Sequence, residues 1–315
     1  MPLIYALFIL GFVLITKGAD LFINCAVDIG KKANISEIVL GATIVSFATT
    51  LPEFTVSLLS SINGYTTMSL GNAIGSIICN TGLALGLVAI ISPFKIDKNM
   101  FISKTTMLLA SIIVLFILST DKNISKFDGF TLISMLCIYM YTNYASVKRD
   151  NSTSLNKKKT KTSFKEWLKL IILFMIGIIM MVIGSRLLVD NGVIIAESLG
   201  VPKGIVSLTV IALGTSLPEI VSSLTAIKKN HHAISVGNVL GANILNILSV
   251  LGASSIANDI PILSQSMTID FPIVIILLLV LILPTLRNNR LNRYQGFLLL
   301  GVYSLYLGML YFIYI

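Results

Sequence analysis

Two segments of this 315-residue chain repeat one another at a constant spacing of 166 residues. Ala48-Thr49-Thr50-Leu51-Pro52-Glu53 aligns with Gly214-Thr215-Ser216-Leu217-Pro218-Glu219, and no insertion is needed between residues 43 and 86 of the first copy. Chance similarity between apolar stretches would match Leu with Ile, but it would not align Pro, Glu, Asn and Gly together. The chain is therefore predicted to contain two copies of one structural unit. Other matches are Thr43 with Thr209, Ser57 with Ser223, Asn72 with Asn238, Gly75 with Gly241 and Asn80 with Asn246.

The chain is too apolar for a soluble domain. Hydrophobic residues make up 55% of it and charged residues 12%, whereas soluble domains carry about 25% charged residues. Apolar stretches long enough to cross the bilayer recur without barrel-like alternation, which favours helices. We predict an all-α, multi-pass protein of the cell (plasma) membrane with ten transmembrane helices. The predicted spans are 2-24, 37-61, 69-91, 100-119, 127-145, 166-190, 203-227, 235-257, 267-286 and 294-314.

The net charge of +9 is explained by the positive-inside rule, so no nucleic-acid partner is expected. When alternate loops are assigned to one side, that side has 16 Lys and Arg residues and the other clearly has 2. The basic loops are predicted to be cytoplasmic, including the central loop at 146-165, and both termini to be outside.

Five spans in each copy is an odd number, so the second copy is predicted to enter the membrane in the opposite orientation. The predicted units are a first five-helix repeat at 1-145, a flexible cytoplasmic linker at 146-165 and a second five-helix repeat at 166-315. Inverted repeats of this kind are typical of transporters that bind their substrate near the bilayer midplane.

Glu53 and Glu219 end the two copies of the first motif, in strongly apolar surroundings. A carboxylate at bilayer depth is costly, so such residues usually face a wet cavity and mark an ion or proton path. Pro52 and Pro218 lack an N–H and are expected to kink or open their helices, which frees backbone carbonyls. Carboxylate, hydroxyl and carbonyl oxygens together match the six to eight oxygen ligands that Ca2+ prefers. The neighbouring hydroxyls belong to Thr49, Thr50, Thr215 and Ser216.

A second motif pair adds amides. Asn72, Ser76 and Asn80 are spaced by four and are predicted to share one helix face. Their equivalents are Asn238, Ala242 and Asn246, with Asn243 as an extra polar group. For Asn72 and Asn238, interhelical hydrogen bonding and ion binding remain open, whereas Asn80 and Asn246 are expected in the ion site.

Other functional classes find no support in the sequence. His231 and His232 lie in a short basic loop without metal-site spacing, and no nucleophile–base pair, phosphate loop or dinucleotide motif is present. The chain is therefore not expected to be an enzyme or to need a cofactor. Charges at the ends of the first and sixth helices are interpreted as interface residues; they are Lys17, Asp20, Arg186 and Asp190.

These motifs resemble those of the cation/Ca2+ exchanger superfamily, and within it the chain is most similar to the prokaryotic sodium/calcium antiporters. The resemblance implies ten helices packed around central ion sites, with the long first and sixth helices sliding against the core. It implies Glu53 and Glu219 as shared Ca2+ and Na+ ligands, with Thr49 and Thr215 contributing to the Ca2+ position. The other implied site residues are Thr50, Ser216 and Ser76 and the carbonyls of Ser46 and Ala212 at the flanking Na+ positions, and Asn80 and Asn246 at the central polar positions.

Two positions depart from that pattern. Some exchangers of the superfamily have Asp where this chain has Asn246, and Ser where it has Ala242. Two ionised glutamates give the site a formal charge of −2, which one Ca2+, two Na+ or two protons balance. Electroneutral exchange is therefore expected.

The expected activity is Ca2+/Na+ antiport by alternating access, with the ions as substrates and with one chain expected to function as a monomer. H+/Ca2+ antiport on the same scaffold is the closest alternative, and a cation channel is a more distant one. The residues leave open the driving ion, the stoichiometry, transport of other cations, the net direction in the cell and the oligomeric state.

Overall fold

The computed structural model describes residues 2–153, 163–198 and 203–314, and nearly all of them are helical. Seven helices are long and apolar enough to cross a membrane, and a bent helix pair over Glu37–Ile62 makes an eighth candidate. The predicted all-α membrane class is confirmed. Helices α8 (Lys126–Thr153) and α10 (Lys203–Lys228) coincide with the two remaining predicted spans but are not among these candidates, so the number ten stays a prediction.

The α-helices are α1 (Pro2–Ala33), α2 (Glu37–Leu40), α3 (Ser46–Thr49), α4 (Leu51–Ile62), α5 (Thr66–Cys79), α6 (Leu85–Ile91), α7 (Lys98–Leu118), α8 (Lys126–Thr153), α9 (Phe164–Ser198), α10 (Lys203–Lys228), α11 (His232–Leu245), α12 (Gly252–Ala257), α13 (Phe271–Asn288) and α14 (Arg293–Tyr314).

Four π-helical turns interrupt or extend these helices. One joins α2 to α3, one joins α5 to α6, one joins α11 to α12 and one precedes α13. Each inserts an extra residue into the helical repeat, which shifts the side chains that follow around the helix axis. The turns are Gly41–Val45, Asn80–Ala84, Asn246–Leu251 and Ser266–Asp270.

The long helices α1 and α9 pack against each other in antiparallel orientation. A Cβ atom added to Gly11 would lie 2.9 Å from the Gly184 carbonyl oxygen, and one added to Gly18 would lie 2.9 Å from the Gly177 carbonyl oxygen. Only glycine permits such close approach of two backbones. The 166-residue spacing relates Gly11 to Gly177 and Gly18 to Gly184, so the two helices are repeat equivalents that cross in opposite directions.

Two short antiparallel ribbons join the copies elsewhere. Strand β1 (Phe94–Lys95) pairs with β4 (Arg290–Leu291), and β2 (Asn123–Ile124) pairs with β3 (Ile260–Pro261). Each ribbon therefore joins a loop of the first copy to a loop of the second. Strand β3 follows β1 at the repeat spacing of 166 residues.

The core is built on the helical runs Thr66–Ile91 and His232–Ala257. In the apolar 18-residue segment of each run, 72% and 89% of the residues are buried. In the corresponding segments of α1 and α9, only 33% of the residues are buried. Helices α1 and α9 thus form a peripheral pair beside a closely packed centre.

The predicted opening at the two prolines occurs in only one copy. In the first, α3 ends at Thr49 and α4 begins at Leu51, with a bend of 47° between them. In the second, α10 runs without interruption through Pro218. The carbonyl that Pro218 cannot pair is that of Gly214, four residues earlier. It accepts a hydrogen bond from Ser185 Oγ at 2.5 Å, so this carbonyl has a partner without the N–H that proline lacks.

Candidate cation-binding site

The two predicted glutamates lie in one buried cluster. Glu53 on α4 and Glu219 on α10 are both 0% exposed. Thr50, one turn before Glu53, donates a hydrogen bond from Oγ1 to Glu219 Oε1 at 3.2 Å. This hydrogen bond joins the first motif directly to the second.

A pair of equivalent hydrogen bonds crosses between the copies. Thr49 Oγ1 donates to Asn238 Oδ1 at 3.2 Å, and Thr215 Oγ1 donates to Asn72 Oδ1 at 3.0 Å. The Asn72 amide donates to the Glu53 carbonyl at 3.3 Å, and the Asn238 amide to the Glu219 carbonyl at 3.5 Å. For these two asparagines the structure shows interhelical hydrogen bonding, one of the two alternatives that the sequence left open.

Several buried polar atoms of this cluster have no hydrogen-bond partner among the described residues. Burying such groups unpaired typically costs about 1–3 kcal/mol each, and more for charged groups, so their concentration in one place indicates an occupant. Carboxylate, hydroxyl and amide oxygens are ligands that suit hard cations such as Ca2+. The atoms are Glu53 Oε1 and Oε2, Glu219 Oε2, Ser76 Oγ, Ser216 Oγ, and the side-chain oxygen and nitrogen of Asn80 and Asn246.

Asn80 and Asn246 each begin a π-helical turn. The sequence predicted a regular helix face at this position, and the turns are a feature that it missed. Single π turns are often found at functional sites, because they redirect side chains and loosen backbone pairing. Thr81 and Asn243 join the two turns through a 2.8 Å hydrogen bond from Asn243 Nδ2 to Thr81 Oγ1.

The two remaining predicted site residues were expected to offer carbonyl oxygens. The Ser46 carbonyl accepts hydrogen bonds from Thr49 Oγ1 at 3.2 Å and from the Thr50 amide at 2.9 Å. Both of its lone pairs are therefore in use in this structure. Ala212 belongs to α10, and its side chain lies outside the described part of the chain.

A cavity of about 290 Å³ reaches this cluster between α4, α9 and α10. Thr215 lines it together with Arg186 and Asp190, two of the charges interpreted from sequence as interface residues. A smaller cavity of about 120 Å³ reaches Thr50. Arg186 and Asp190 therefore line the same cavity as Thr215, a contact that their positions near a helix end do not predict.

The repeat equivalents of Arg186 and Asp190 are Asp20 and Asn24 on α1. They contact Lys229, which follows α10. Its Nζ lies 3.2 Å from Asp20 Oδ1 and donates to Asn24 Oδ1 at 3.0 Å. The positions on α9 therefore line a cavity, whereas the equivalent positions on α1 contact Lys229.

Comparison with known proteins agrees with this arrangement. The family model described as sodium/calcium exchanger protein matches residues 3–145 and 169–312. The chain belongs to the sodium/calcium exchanger family. This confirms the resemblance, and it makes the chain a multi-pass membrane exchanger of the cation/Ca2+ type, related to transporters and not to enzymes.

Relatives of this exchanger align along its whole length. It is 27% identical to the sodium/calcium exchanger MaX1 of Methanosarcina acetivorans, over 98% of this chain and 99% of that protein. It is 30% identical to the inner membrane protein YrbG of Escherichia coli, over 99% and 98%. A solved structure of the sodium-calcium exchanger NCX_Mj, soaked without Na+ and Ca2+, matches with a TM-score of 0.82 at 32% identity and covers 98% of this chain and 99% of that one.

Proposed function

We propose that this exchanger moves Ca2+ against Na+ at the site built on Glu53 and Glu219, by alternating access. The observation that carries the proposal is the group of buried oxygens without protein partners on Glu53, Glu219, Asn80 and Asn246. Dehydrated Ca2+ or Na+ would satisfy them, and one chain supplies all of them, so a monomer is sufficient. No cofactor is needed, because the ions themselves are the substrates.

Charge balance explains why exchange would be coupled. Closing an empty site with two carboxylates inside a low-dielectric wall is unfavourable, whereas one Ca2+ or two Na+ neutralise it. The ions share ligands, so they compete and cross in alternate half-cycles. The same balance favours electroneutral exchange.

Ten spans in two inverted five-helix repeats, with termini outside and the 146-165 loop in the cytoplasm, are part of this proposal. The antiparallel pair α1 and α9 supports inversion, because repeat-equivalent helices run in opposite directions. The ribbons support it too, because the repeat-equivalent strands β1 and β3 lie in different ribbons, β1 paired with β4 and β3 with β2. In this topology the cavity beside Arg186 faces outside and the Lys229 contact closes the cytoplasmic side, as alternating access requires.

Ion gradients applied one at a time test the proposed coupling. In proteoliposomes, an outward Na+ gradient should drive Ca2+ uptake at least about tenfold above the rate without a gradient, because overlapping ligands tie the two fluxes together. Uptake driven by a pH gradient alone would support H+/Ca2+ antiport instead. Single-channel currents above any exchange rate would indicate a channel.

The Lys229 contact gives a second prediction. Lys229→Ala should shift the protein toward a cytoplasm-open state about two- to fivefold, the effect expected for losing a partly exposed ion pair. The shift is measured as faster labelling of an Ala226→Cys reporter by a membrane-impermeant maleimide from the cytoplasmic side, in protein without its native cysteines. The exposed neighbour Lys228, changed to Ala, is the matched control. Equal labelling rates for both variants would contradict the assignment.

A further inference from the structure

Ser185 makes an unusual contact between the peripheral helix α9 and the backbone of the site. Its side chain is 6% exposed, and Oγ donates to the Gly214 carbonyl oxygen at 2.5 Å. Inside α10 that carbonyl would normally pair with the N–H of residue 218, which is a proline and has none. The serine therefore supplies the donor that the helix lacks.

The first copy offers a natural comparison. At the repeat spacing, Ala19 stands where Ser185 stands, and Ala48 and Pro52 stand where Gly214 and Pro218 stand. Ala19 has no hydroxyl to donate. There the helix is interrupted and bends by 47°, whereas α10 stays continuous. The copy with the hydroxyl has the continuous helix, and the copy without it has the broken one.

Packing brings α9 directly onto this part of α10. A Cβ atom added to Gly214 would lie 2.5 Å from Val189 Cγ2, so a side chain there would force Val189 to shift. Gly214 immediately precedes Thr215 and Ser216, and Ser216 Oγ is one of the buried atoms without a protein partner. A change in the pairing of the Gly214 carbonyl would therefore alter the helix only two residues from Ser216, whose side chain belongs to the ion site.

We propose that Ser185 is a positioning residue for the second half of the ion site. Its hydroxyl keeps α10 helical through Thr215 and Ser216 and withholds the Gly214 carbonyl from the ions. The proposal rests on the proposed function, because it assigns a role in binding the exchanged ions.

The test compares the apparent KM for Na+ and Ca2+ in proteoliposome exchange for matched variants. Ser185→Ala frees a carbonyl oxygen beside the site, so the KM for at least one ion should fall about 3- to 10-fold, the effect of one ordinary hydrogen bond. Ser185→Thr retains the hydroxyl and should behave like the wild type. Ser198→Ala, an exposed serine of the same helix, should change nothing.

A second measurement separates a positioning role from a purely structural one. Hydrogen–deuterium exchange of the 212–220 segment in ion-free protein should be faster in Ser185→Ala than in the wild type or Ser198→Ala. Unchanged exchange would overturn the proposal, as would faster exchange with both KM values unaltered. A wild-type protein that transports neither ion would contradict the proposed function itself, whereas a transporting wild type with an unaffected Ser185→Ala variant would contradict only the role of Ser185.

Discussion

Glutamine in place of either Glu53 or Glu219 should abolish Na+-driven Ca2+ uptake in proteoliposomes. Both side chains are 0% exposed, and three of their four carboxylate oxygens have no partner among the described residues. In either variant, the negative charge that balances a bound Ca2+ would fall from two to one. Removing one partner of a buried ion pair costs about 3–5 kcal/mol, so uptake should fall by about 100-fold or more in each variant.

A stability measurement shows that such a loss comes from the site and not from misfolding. Glutamine has nearly the size of glutamate and no charge to desolvate, so both variants should unfold in ion-free detergent at or above the wild-type temperature. Ca2+ at about 100 times its Kd should stabilise the wild type by about 2.7 kcal/mol and should stabilise neither variant. The exposed Glu197, changed to Gln, is the matched control and should retain both uptake and stabilisation. Uptake retained by both site variants would refute the paired-glutamate site.

The sequence singled out Glu53 and Glu219 because its strongest signals are local. A carboxylate in an apolar stretch stands out, and an exact spacing identifies its partner in the other copy. Glu53 and Glu219 do lie together in the structure, joined through Thr50. The pairing of Thr49 with Asn238 and of Thr215 with Asn72 follows the same repeat. The constant spacing of 166 residues in the sequence therefore corresponds to equivalent hydrogen bonds in the structure.

What the sequence did not predict depends on contacts between distant segments. The Gly214 carbonyl, which Pro218 leaves without its helical partner, is paired by Ser185 on another helix, and no residue next to the proline indicates this contact. The π turns at Asn80 and Asn246 were missed because one extra residue per turn leaves no mark in a four-residue polar pattern. Asp20 and Arg186 are equivalent by sequence, yet Asp20 pairs with Lys229 and Arg186 lines a cavity, and the sequence spacing does not predict this difference.

Asn246→Asp should convert voltage-insensitive exchange into voltage-dependent exchange. In the wild type, two carboxylates match the charge of one Ca2+ or two Na+, so an imposed membrane potential should leave Na+-driven Ca2+ uptake nearly unchanged. Both polar atoms of Asn246 are buried without a protein partner, so an aspartate there would add a third unpaired charge inside the site. At least one half-cycle would then carry net charge across the membrane.

One elementary charge crossing the full membrane potential corresponds to about 2.3 kcal/mol per 100 mV. An imposed 100 mV should therefore change the uptake rate of Asn246→Asp by up to about 50-fold, since each 1.4 kcal/mol is a factor of ten. The potential is set with a K+ gradient and valinomycin, and Asn243→Asp, three residues earlier on the same helix run, tests whether any added carboxylate has this effect. Steep voltage dependence in the wild type would contradict electroneutral exchange. A voltage-insensitive Asn246→Asp that still transports would contradict the prediction that residue 246 adds a charge to the transport cycle.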